Sequence, residues 1–370
     1  MKVVQFFSGK SVYITGMLQE LEVCPAFNAS FENYSIDLLE VMNDFENKCN
    51  ISDYSQLNKL AKLIYWIRMN RYLLLRYGHL EGGVVDIQYV SIFYVMLLPF
   101  LTRTFDRIVL SFWGSDLLRQ NRLILCLLKT LVRRAEFITF PTSDMADSFR
   151  RKMGCGFNDK IHVVRFGNYY LDRIDCAKDS TVDGFVHKYG IDTSRKVIVV
   201  GYNRFKEQQH IKVLESIVEG NIERDRIFIV IPWTYGPDNK DYKKQIESII
   251  SGRYEYVFLN ERLSDEELVA LRKVTDVLVS VLLTDALNAT MLETMYSGGE
   301  IITGSWLKYD YLYSNGIVMR QVDNASDVGD ELAVFLDSPY PEEINQKNRD
   351  IVGILYRWES IIEEWVKLYI

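Results

Sequence analysis

Short runs rich in β-branched residues alternate with helical stretches along most of this chain. The runs predict strands at 84–90, 107–113, 137–141 and 161–166, and again at 196–202, 226–232, 254–259 and 276–281. The opening residues, 1–7, predict a further strand. Strands separated by helices build parallel sheets, because each crossover needs a helix to return the chain. The alternation therefore predicts an α/β fold with two doubly wound, Rossmann-like domains.

The domain boundaries follow from length and from one break in this alternation. A chain of 370 residues is too long for a single ordinary core and suits two domains. The polar segment 175–195 interrupts the pattern and predicts a linker. We therefore expect one domain at 1–175 and another at 190–350. The final residues, 354–370, predict an amphipathic helix whose apolar stripe must dock on another surface, with Trp358, Ile361, Ile362, Trp365, Val366 and Tyr369 at helical spacing.

Several classes of protein are excluded by composition. No run approaches the roughly 18–20 apolar residues of a membrane span, and the N-terminus lacks the pattern of a signal peptide, so we expect a cytoplasmic protein. The five Cys are scattered and predict free thiols, and the four His form no metal-ligand spacing. We expect neither a bound metal nor a cofactor. Nucleic acid is disfavoured as a partner because the net charge is −7.

Charge is unevenly distributed between the two halves. Residues 1–175 carry 21 Lys and Arg against 18 Asp and Glu, whereas the remainder carries 22 against 32. A basic cluster at 119–134 fits the inner face of an anionic membrane, to which the protein would attach peripherally, or a lipid pyrophosphate. A solvated helix face explains the same charges.

Polar loops follow several predicted strands, where ligands of doubly wound sheets bind. After 107–113, Trp113, Ser115 and Asp116 offer acceptor contacts, with Asp116 as a base or hydroxyl clamp, although Asp116 could simply cap a helix. After 226–232, Trp233 and Tyr235 could line a base or acceptor pocket, or form a rigid turn. The loop after 196–202 supplies a dense set of donors suited to phosphate, namely Asn203, Arg204, Lys206, Gln209 and His210.

The segment 284–299 combines a loop carboxylate, a helix start and a second carboxylate. Asn288 predicts the N-cap of a helix, so the amides of Ala289 and Thr290 would face an anion such as a diphosphate. Glu293 would point toward ribose hydroxyls, and Asp285 would lie near a transferred sugar. A capped surface helix with one solvent-facing Glu is the alternative.

These residues carry a family resemblance over roughly 85–300. Residues 258–276 with Asp285 and Glu293, preceded by 113–116, 135–143 and 163–167, resemble family-4 glycosyltransferases of the GT-B fold. The segments 113–116, 200–210 and 232–239 are also similar to the TDP-N-acetylfucosamine transferases that extend lipid-linked saccharides. The resemblance implies two Rossmann-like domains with a cleft between them and a C-terminal helix that returns to the first domain. A dimer seam is the alternative use of that helix.

Residue roles follow from the resemblance. Glu293 matches the family carboxylate that holds ribose hydroxyls, and Arg204 matches the diphosphate-binding Arg. Asp285 stands where the family has Glu, and Gln209 stands where it has Lys, with Lys206 as a substitute. His210 matches the loop end of the lipid-linked transferases.

The function implied is metal-independent sugar transfer. The donor would be a UDP-, GDP- or dTDP-sugar and the acceptor a saccharide on a polyprenyl pyrophosphate, in assembly of bacterial O-antigen, lipopolysaccharide or capsule. Retention of anomeric configuration is favoured slightly over inversion. A GT-B sugar-nucleotide epimerase or hydrolase, or a catalytically inactive GT-B partner subunit, is the alternative.

Overall fold

The computed structural model describes residues 1–9, 11–51, 54–220, 222–285 and 287–370. The chain forms two compact units, Met1–Gly167 with Trp358–Ile370, and Asn168–Arg357. The segment predicted as a linker lies inside the second unit and contains the helix Asp179–Tyr189. Phe185 is the one buried side chain of that helix. The rest of the helix is polar and largely accessible, so its composition resembles that of a linker.

The strands within the described ranges fall into two sheets. Those of the first unit are β1 (Lys2–Phe7), β2 (Glu32–Asp37), β3 (Gly83–Gln88), β4 (Phe105–Ser111), β5 (Phe137–Phe140) and β6 (Ile161–Val163). Those of the second unit are β7 (Lys196–Val200), β8 (Ile227–Pro232), β9 (Glu255–Leu259), β10 (Val277–Ser280), β11 (Glu300–Gly304) and β12 (Arg320–Val322).

Helices connect these strands. The first unit begins with α1 (Val12–Val23), α2 (Pro25–Asn28), α3 (Leu38–Cys49), α4 (Lys59–Tyr77), α5 (Ile92–Met96), α6 (Leu98–Thr104), α7 (Ser115–Leu118), α8 (Arg122–Arg134) and α9 (Ser143–Met153). The second unit contains α10 (Leu171–Asp175), α11 (Asp179–Tyr189), α12 (His210–Glu219), α13 (Lys240–Ile250), α14 (Asp265–Val274), α15 (Ala289–Tyr296), α16 (Asp310–Ser314), α17 (Val328–Asp337) and α18 (Glu342–Tyr356). The last helix is α19 (Trp358–Val366).

The first sheet is parallel, with the order β2-β1-β3-β4-β5-β6. As predicted, the C-terminal helix belongs to this unit, where the apolar stripe of α19 packs on a core that includes Met17, Leu21 and Phe27. Trp365 also donates its indole N–H to the carbonyl of Arg165 at 2.7 Å. Burial of this stripe accounts for its helical spacing in the sequence.

The second sheet is also parallel, with the order β12-β11-β10-β7-β8-β9. Its central strands are buried along their length, and an aliphatic core with Ile229 and Val279 covers them. The sequence prediction missed β2, β11 and β12. Two of these are edge strands, β2 with a polar sequence and β12 with three residues, and neither produces the long apolar run by which buried parallel strands are identified.

Candidate functional site

The second sheet has a switch point between β7 and β10. These strands are neighbours, but the chain proceeds from β7 to β8 and β9 on one side and from β10 to β11 and β12 on the other. Ligands of open α/β sheets bind in the crevice beyond the carboxyl ends of such strands. The loops that follow β7 and β10, together with the helices α12 and α15 that begin after them, contain the predicted donor-binding residues.

The loop after β7 is held against the loop after β8. Asn203 is buried, accepts the amide of Phe205 at 3.0 Å and donates to the hydroxyl of Tyr235 at 3.2 Å. Arg204 donates from Nε to the carbonyl of Gly236 at 2.5 Å, and its side chain remains about one quarter exposed. The arrangement brings Asn203 and Arg204 of the predicted donor loop beside Tyr235, which the sequence assigned separately to a base or acceptor pocket.

His210 begins α12 and is buried beneath this loop. Burial lowers the pKa of its imidazole to about 4, with the backbone of Asn203 acting in the opposite direction, so the ring is neutral near pH 7. Its Nδ1 lies 3.3 Å from the hydroxyl of Tyr242. If that hydroxyl donates to Nδ1, the proton resides on Nε2.

Two buried polar atoms beside Gly201 lack partners. Within the described part of the chain, neither Nε2 of His210 nor Oε1 of Gln208 has a hydrogen-bond partner. Both atoms lie 3.0 Å from the position that a Cβ on Gly201 would occupy, and Gly201 has φ of +67°. Unpaired buried polar atoms are uncommon and costly. They therefore mark a place where a polar ligand would complete the hydrogen bonding.

The other predicted residues of these loops separate into accessible and buried ones. Lys206 is exposed, with Nζ 5.4 Å from the ring centroid of Tyr242. Tyr235 is 52% exposed. Trp233, in contrast, belongs to the core and stacks on Tyr242 with ring centroids 5.9 Å apart, so the prediction that it lines a pocket is corrected. Its position as the first residue beyond a fully buried strand explains this burial.

The loop after β10 leads into α15. Asn288 caps the helix by accepting the amide of Met291 at 2.9 Å, which agrees with the predicted N-cap. The helix therefore begins at Ala289 and Thr290, whose amides have no carbonyl four residues back within the helix. Such amides and the helix dipole favour an anion at this end.

Asp285 is fixed by two donors. Its Oδ2 accepts from Nδ2 of Asn288 at 2.8 Å and from the hydroxyl of Tyr309 at 2.7 Å. Asn288 also donates to Ser280 at 3.2 Å, which ties the loop back to β10. Tyr309 was not among the predicted residues, because only the tertiary structure brings it to this loop across the sequence.

Glu293 lies elsewhere than predicted. It is buried, with Oε2 2.9 Å from Nε of Arg272 and Oε1 3.1 Å from Nδ2 of Asn168. Arg272 also approaches Thr290 at 3.3 Å. Because both carboxylate oxygens already accept protein hydrogen bonds, the predicted projection of Glu293 toward ribose hydroxyls is corrected. From sequence alone, such a Glu is assigned to solvent or to a ligand, because its pairing with Arg272 of α14 leaves no signal in the sequence.

Asp116 organises the acceptor loop predicted in the first unit. The carboxylate is fully buried and accepts backbone amides from Gly114 at 2.8 Å, Trp113 at 3.0 Å and Val90 at 3.0 Å. Burial raises its pKa to about 6, although these amides act in the opposite direction. The predicted role as an accessible base is therefore corrected to one of joining the loops after β3 and β4.

Accessible hydroxyls occur at the same loops. Ser115 lies 2.9 Å from the hydroxyl of Tyr89, and Tyr89 is 43% exposed with φ of +61°. A positive φ is unusual for a residue with a bulky side chain and often accompanies a functional constraint. Tyr89 was not predicted, because this backbone conformation leaves no signal in the sequence.

A buried chain of hydrogen bonds connects this loop to the C-terminus. Trp113 donates to Gln88 at 2.9 Å, Gln88 to Gln5 at 3.1 Å, and Gln5 to the hydroxyl of Tyr369 at 2.8 Å. Tyr369 in turn donates to Asp86 at 2.7 Å. Trp113 is thus positioned by its indole nitrogen as well as by packing on Phe166, and the penultimate residue supports a loop 256 positions earlier.

The described residues form neither a metal-binding cluster nor a membrane-spanning helix. Those residues contain no group of three or more His, Cys, Asp or Glu arranged to hold a metal ion. Among the helices described, none is both long enough and apolar enough to cross a membrane.

The structure is similar to those of several glycosyltransferases. A glycosyltransferase from Rickettsia africae matches with a TM-score of 0.74 at 11% identity, over 100% of this chain and 97% of that chain. Sucrose-phosphate synthase from Thermosynechococcus elongatus matches with a TM-score of 0.71 at 11% identity, over 100% and 98%. Anabaena HepE, solved with UDP and glucose, matches with 0.71 at 11% identity, over 100% and 99%.

These similarities define the class by fold. The two parallel six-stranded sheets with flanking helices form the two-domain, Rossmann-like GT-B fold, which confirms the predicted fold class. Neither a protein-family model nor a curated protein sequence matches the chain. The resemblances to family 4 and to the N-acetylfucosamine transferases therefore stay predictions.

Proposed function

We propose that the protein transfers a sugar from a nucleoside diphosphate sugar to a saccharide acceptor carried on a polyprenyl pyrophosphate. The pair of unpaired buried atoms on Gln208 and His210, at the switch point of the second sheet, carries this proposal. The HepE structure, which has the same fold, holds UDP and glucose. A nucleoside diphosphate sugar offers phosphate and hydroxyl oxygens that suit such a polar site.

The donor's diphosphate would be held by groups of the second unit. Arg204 supplies a charge, while the first amides of α15, at Ala289 and Thr290, supply fixed dipoles. Asn203, Lys206 and the neutral His210 supply further donors. In sugar transfer, negative charge develops on the departing diphosphate, so these groups would stabilise the transition state more than the ground state. This cationic and dipolar set supports a reaction without a metal or cofactor.

Asp285 would lie near the transferred sugar. Because Asn288 and Tyr309 hold one of its carboxylate oxygens, its orientation is fixed before the donor binds. We propose that the transfer retains the anomeric configuration, on the strength of this fixed carboxylate and the family-4 resemblance. NMR of the product's anomeric proton distinguishes retention from inversion.

The acceptor would meet the loop of the first unit that contains Trp113, Ser115 and Tyr89. Asp116 would shape that loop through its three backbone hydrogen bonds and would not take the acceptor's proton. Assembly of bacterial surface polysaccharide, at the inner face of the membrane, is the context that such an acceptor implies.

Calorimetric titration with UDP, GDP and dTDP tests the donor assignment. We expect one nucleotide to bind, and Arg204→Ala to weaken that binding about 10- to 100-fold, because a hydrogen bond to a charged group contributes about 1.5–3 kcal/mol. Arg253→Ala, at an exposed position of the same unit, serves as the control and should bind normally. Absence of binding by all three nucleotides would refute the proposal. Donor turnover without acceptor would instead indicate a hydrolase or epimerase.

A further inference from the structure

Three helices of the first unit expose an apolar surface. On α4, Leu60 and Ile67 are 67% and 61% exposed, and Leu63 and Ile64 are exposed beside them. The neighbouring helices add exposed apolar side chains at Phe93 and Met96 of α5 and at Leu123 and Leu127 of α8. Large apolar side chains exposed together on adjacent helices are unusual in a soluble protein and mark an interaction surface.

Helix α5 packs against both of the other helices. Trp66 of α4 stacks on Phe93 of α5 with ring centroids 5.8 Å apart, and Asn70 of α4 donates to the carbonyl of Met96 at 2.9 Å. Helix α5 packs in turn against α8. We call this surface, formed by the exposed residues of α4, α5 and α8, the basic apolar face.

The same helices are strongly basic. By sequence, α4 carries five Lys and Arg, α8 carries four, and neither these helices nor α5 contains an Asp or Glu. Arg68 and Arg71 are exposed on α4 among the apolar residues. The contrast with the chain's net charge of −7 shows that cationic groups are concentrated here.

A basic cavity adjoins α8. It has a volume of about 470 Å³, and Arg122, Lys129, Arg151 and Lys152 are among the residues that line it. Arg122, Lys129 and Arg151 suit a phosphate group at this opening, whereas Nζ of Lys152 donates to the carbonyls of Leu117 and Leu118.

We propose that the basic apolar face docks on the surface of an anionic phospholipid bilayer. Apolar side chains would enter the boundary between headgroups and acyl chains, while the Lys and Arg would meet lipid phosphates. A second copy of this chain fits the face poorly, because it would bring like charges such as the exposed Arg68 and Arg71 against each other. The inference rests on the proposed function for its biological setting, since a lipid-linked acceptor resides at such a surface, but docking itself requires no sugar transfer.

Vesicle flotation tests the docking. The wild-type protein is mixed with vesicles of phosphatidylcholine alone, or of phosphatidylcholine with phosphatidylglycerol. We expect at least tenfold tighter binding to the anionic vesicles, and loss of that preference at high salt. Equal binding to both compositions, or no binding to either, would overturn the proposal.

A matched pair of variants separates this face from general hydrophobicity. The variant Leu60→Ser, Ile64→Ser, Ile67→Ser removes three exposed apolar side chains from α4, and Val23→Ser, Val334→Ser, Ile354→Ser removes three that are similarly exposed elsewhere. We expect vesicle binding to fall at least tenfold in the first and less than twofold in the second. Both should fold, as judged by circular dichroism. Unchanged binding in the α4 variant would contradict the assignment.

Fluorescent labelling locates the contact independently. Cys126 is exposed on α8, whereas Cys176 is exposed in the second unit. An environment-sensitive dye on Cys126, with Cys49, Cys155 and Cys176 replaced by Ser, should shift to the blue when anionic vesicles are added. The dye on Cys176, with Cys49, Cys126 and Cys155 replaced, should not shift. The opposite pattern would refute this orientation.

Two further measurements distinguish a failure of the docking proposal from a failure of the proposed function. Light scattering reports whether the wild type forms a dimer that the α4 variant abolishes, an outcome that would assign the face to a second copy. Nucleotide titration of the α4 variant should match the wild type. If the wild type binds nucleotide but not vesicles, the docking proposal fails and the proposed function stands. If the wild type binds no nucleotide, the proposed function fails.

Discussion

Arg272 and Glu293 form a buried ion pair between α14 and α15, with Nε and Oε2 2.9 Å apart. Each side chain is almost inaccessible to solvent. Removing one partner of such a pair strands the other charge, whereas replacing both with apolar residues is often neutral. The pair is thus expected to join the two helices, and its loss is expected to be measurable in stability.

Glu293→Ala should lower the free energy of unfolding by about 3–5 kcal/mol. The double variant Arg272→Met, Glu293→Met should recover most of that loss, and Glu219→Ala, at an exposed position on α12, should have little effect. Urea denaturation measures all three. A double variant as stable as the wild type and unchanged in nucleotide affinity would show that the carboxylate is structural. Equal effects of the Glu293 and Glu219 variants would contradict the buried pair.

Asp86 should make stability fall as the pH rises from about 4 to about 7. Burial raises the pKa of this carboxyl from 3.8 to about 7, although hydrogen bonds from Ser111, Tyr369 and Gln88 act in the opposite direction. The folded protein therefore binds the proton more tightly than the unfolded chain between these pH values, so deprotonation destabilises the fold.

The variant Asp86→Asn isolates this dependence. At 1.36 kcal/mol per unit of pKa, we expect the wild type to lose about 1–4 kcal/mol relative to the variant between pH 4 and pH 8. Asp159→Asn, at an exposed position, should follow the wild-type curve. Parallel pH profiles for wild type and Asp86→Asn would show that Asp86 does not titrate in this window.

Tyr369→Phe should destabilise the first unit although it removes a single oxygen. The hydroxyl donates to Asp86 and accepts from Gln5, so its loss removes one hydrogen bond from each of two buried groups, at a cost of about 1–3 kcal/mol. Tyr34→Phe is the control, because the Tyr34 hydroxyl bonds an exposed Glu32. Thermal denaturation compares the two, and similar melting temperatures would argue against the buried network.

Gly201→Ala should abolish nucleotide binding under the proposed function. Its Cβ would occupy the space beside Gln208 and His210 at 3.0 Å from each. Gly190→Ala provides a matched control, since Gly190 also has positive φ, +62°, but no atom lies within 4 Å of its added Cβ. Both variants should lose about 1–2 kcal/mol of stability because a Cβ is strained in the left-handed conformation, and only Gly201→Ala should lose affinity in calorimetry. Equal affinities would place the nucleotide elsewhere.

Asn288→Ala should cost more than Asn239→Ala. Both residues cap a helix by accepting an amide three positions later, a contact that contributes about 1–2 kcal/mol. Asn288 additionally donates to Asp285 and Ser280. Denaturation of the two variants measures the difference, and equal losses would mean that the added hydrogen bonds contribute little to stability.

The parallel sheets could be predicted from sequence because their central strands are buried on both faces and appear as apolar runs. Edge strands such as β2 and β12 lack that constraint and were missed, and the short interior strand β11 was missed although it is buried. The N-cap at Asn288 and the apolar stripe of α19 could also be predicted from sequence. A cap depends on residues three apart, and a stripe depends on helical spacing, so both are local features.

Side-chain pairing was decided by the tertiary structure. Asp116, Trp233 and Glu293 each have a residue type and a position typical of a ligand site, but the structure buries all three. Backbone amides of the loops after β3 and β4 bind Asp116, the aromatic core surrounds Trp233, and Arg272 pairs with Glu293. Conversely, Gln208 and His210 each have an unpaired buried atom because the loop after β7 places both side chains beside Gly201. Local periodicity and helix capping depend on residues close together in the sequence, and they were enough to determine the fold class. Burial depends on segments far apart in the chain. The tertiary structure therefore decided which polar groups remain available to a ligand.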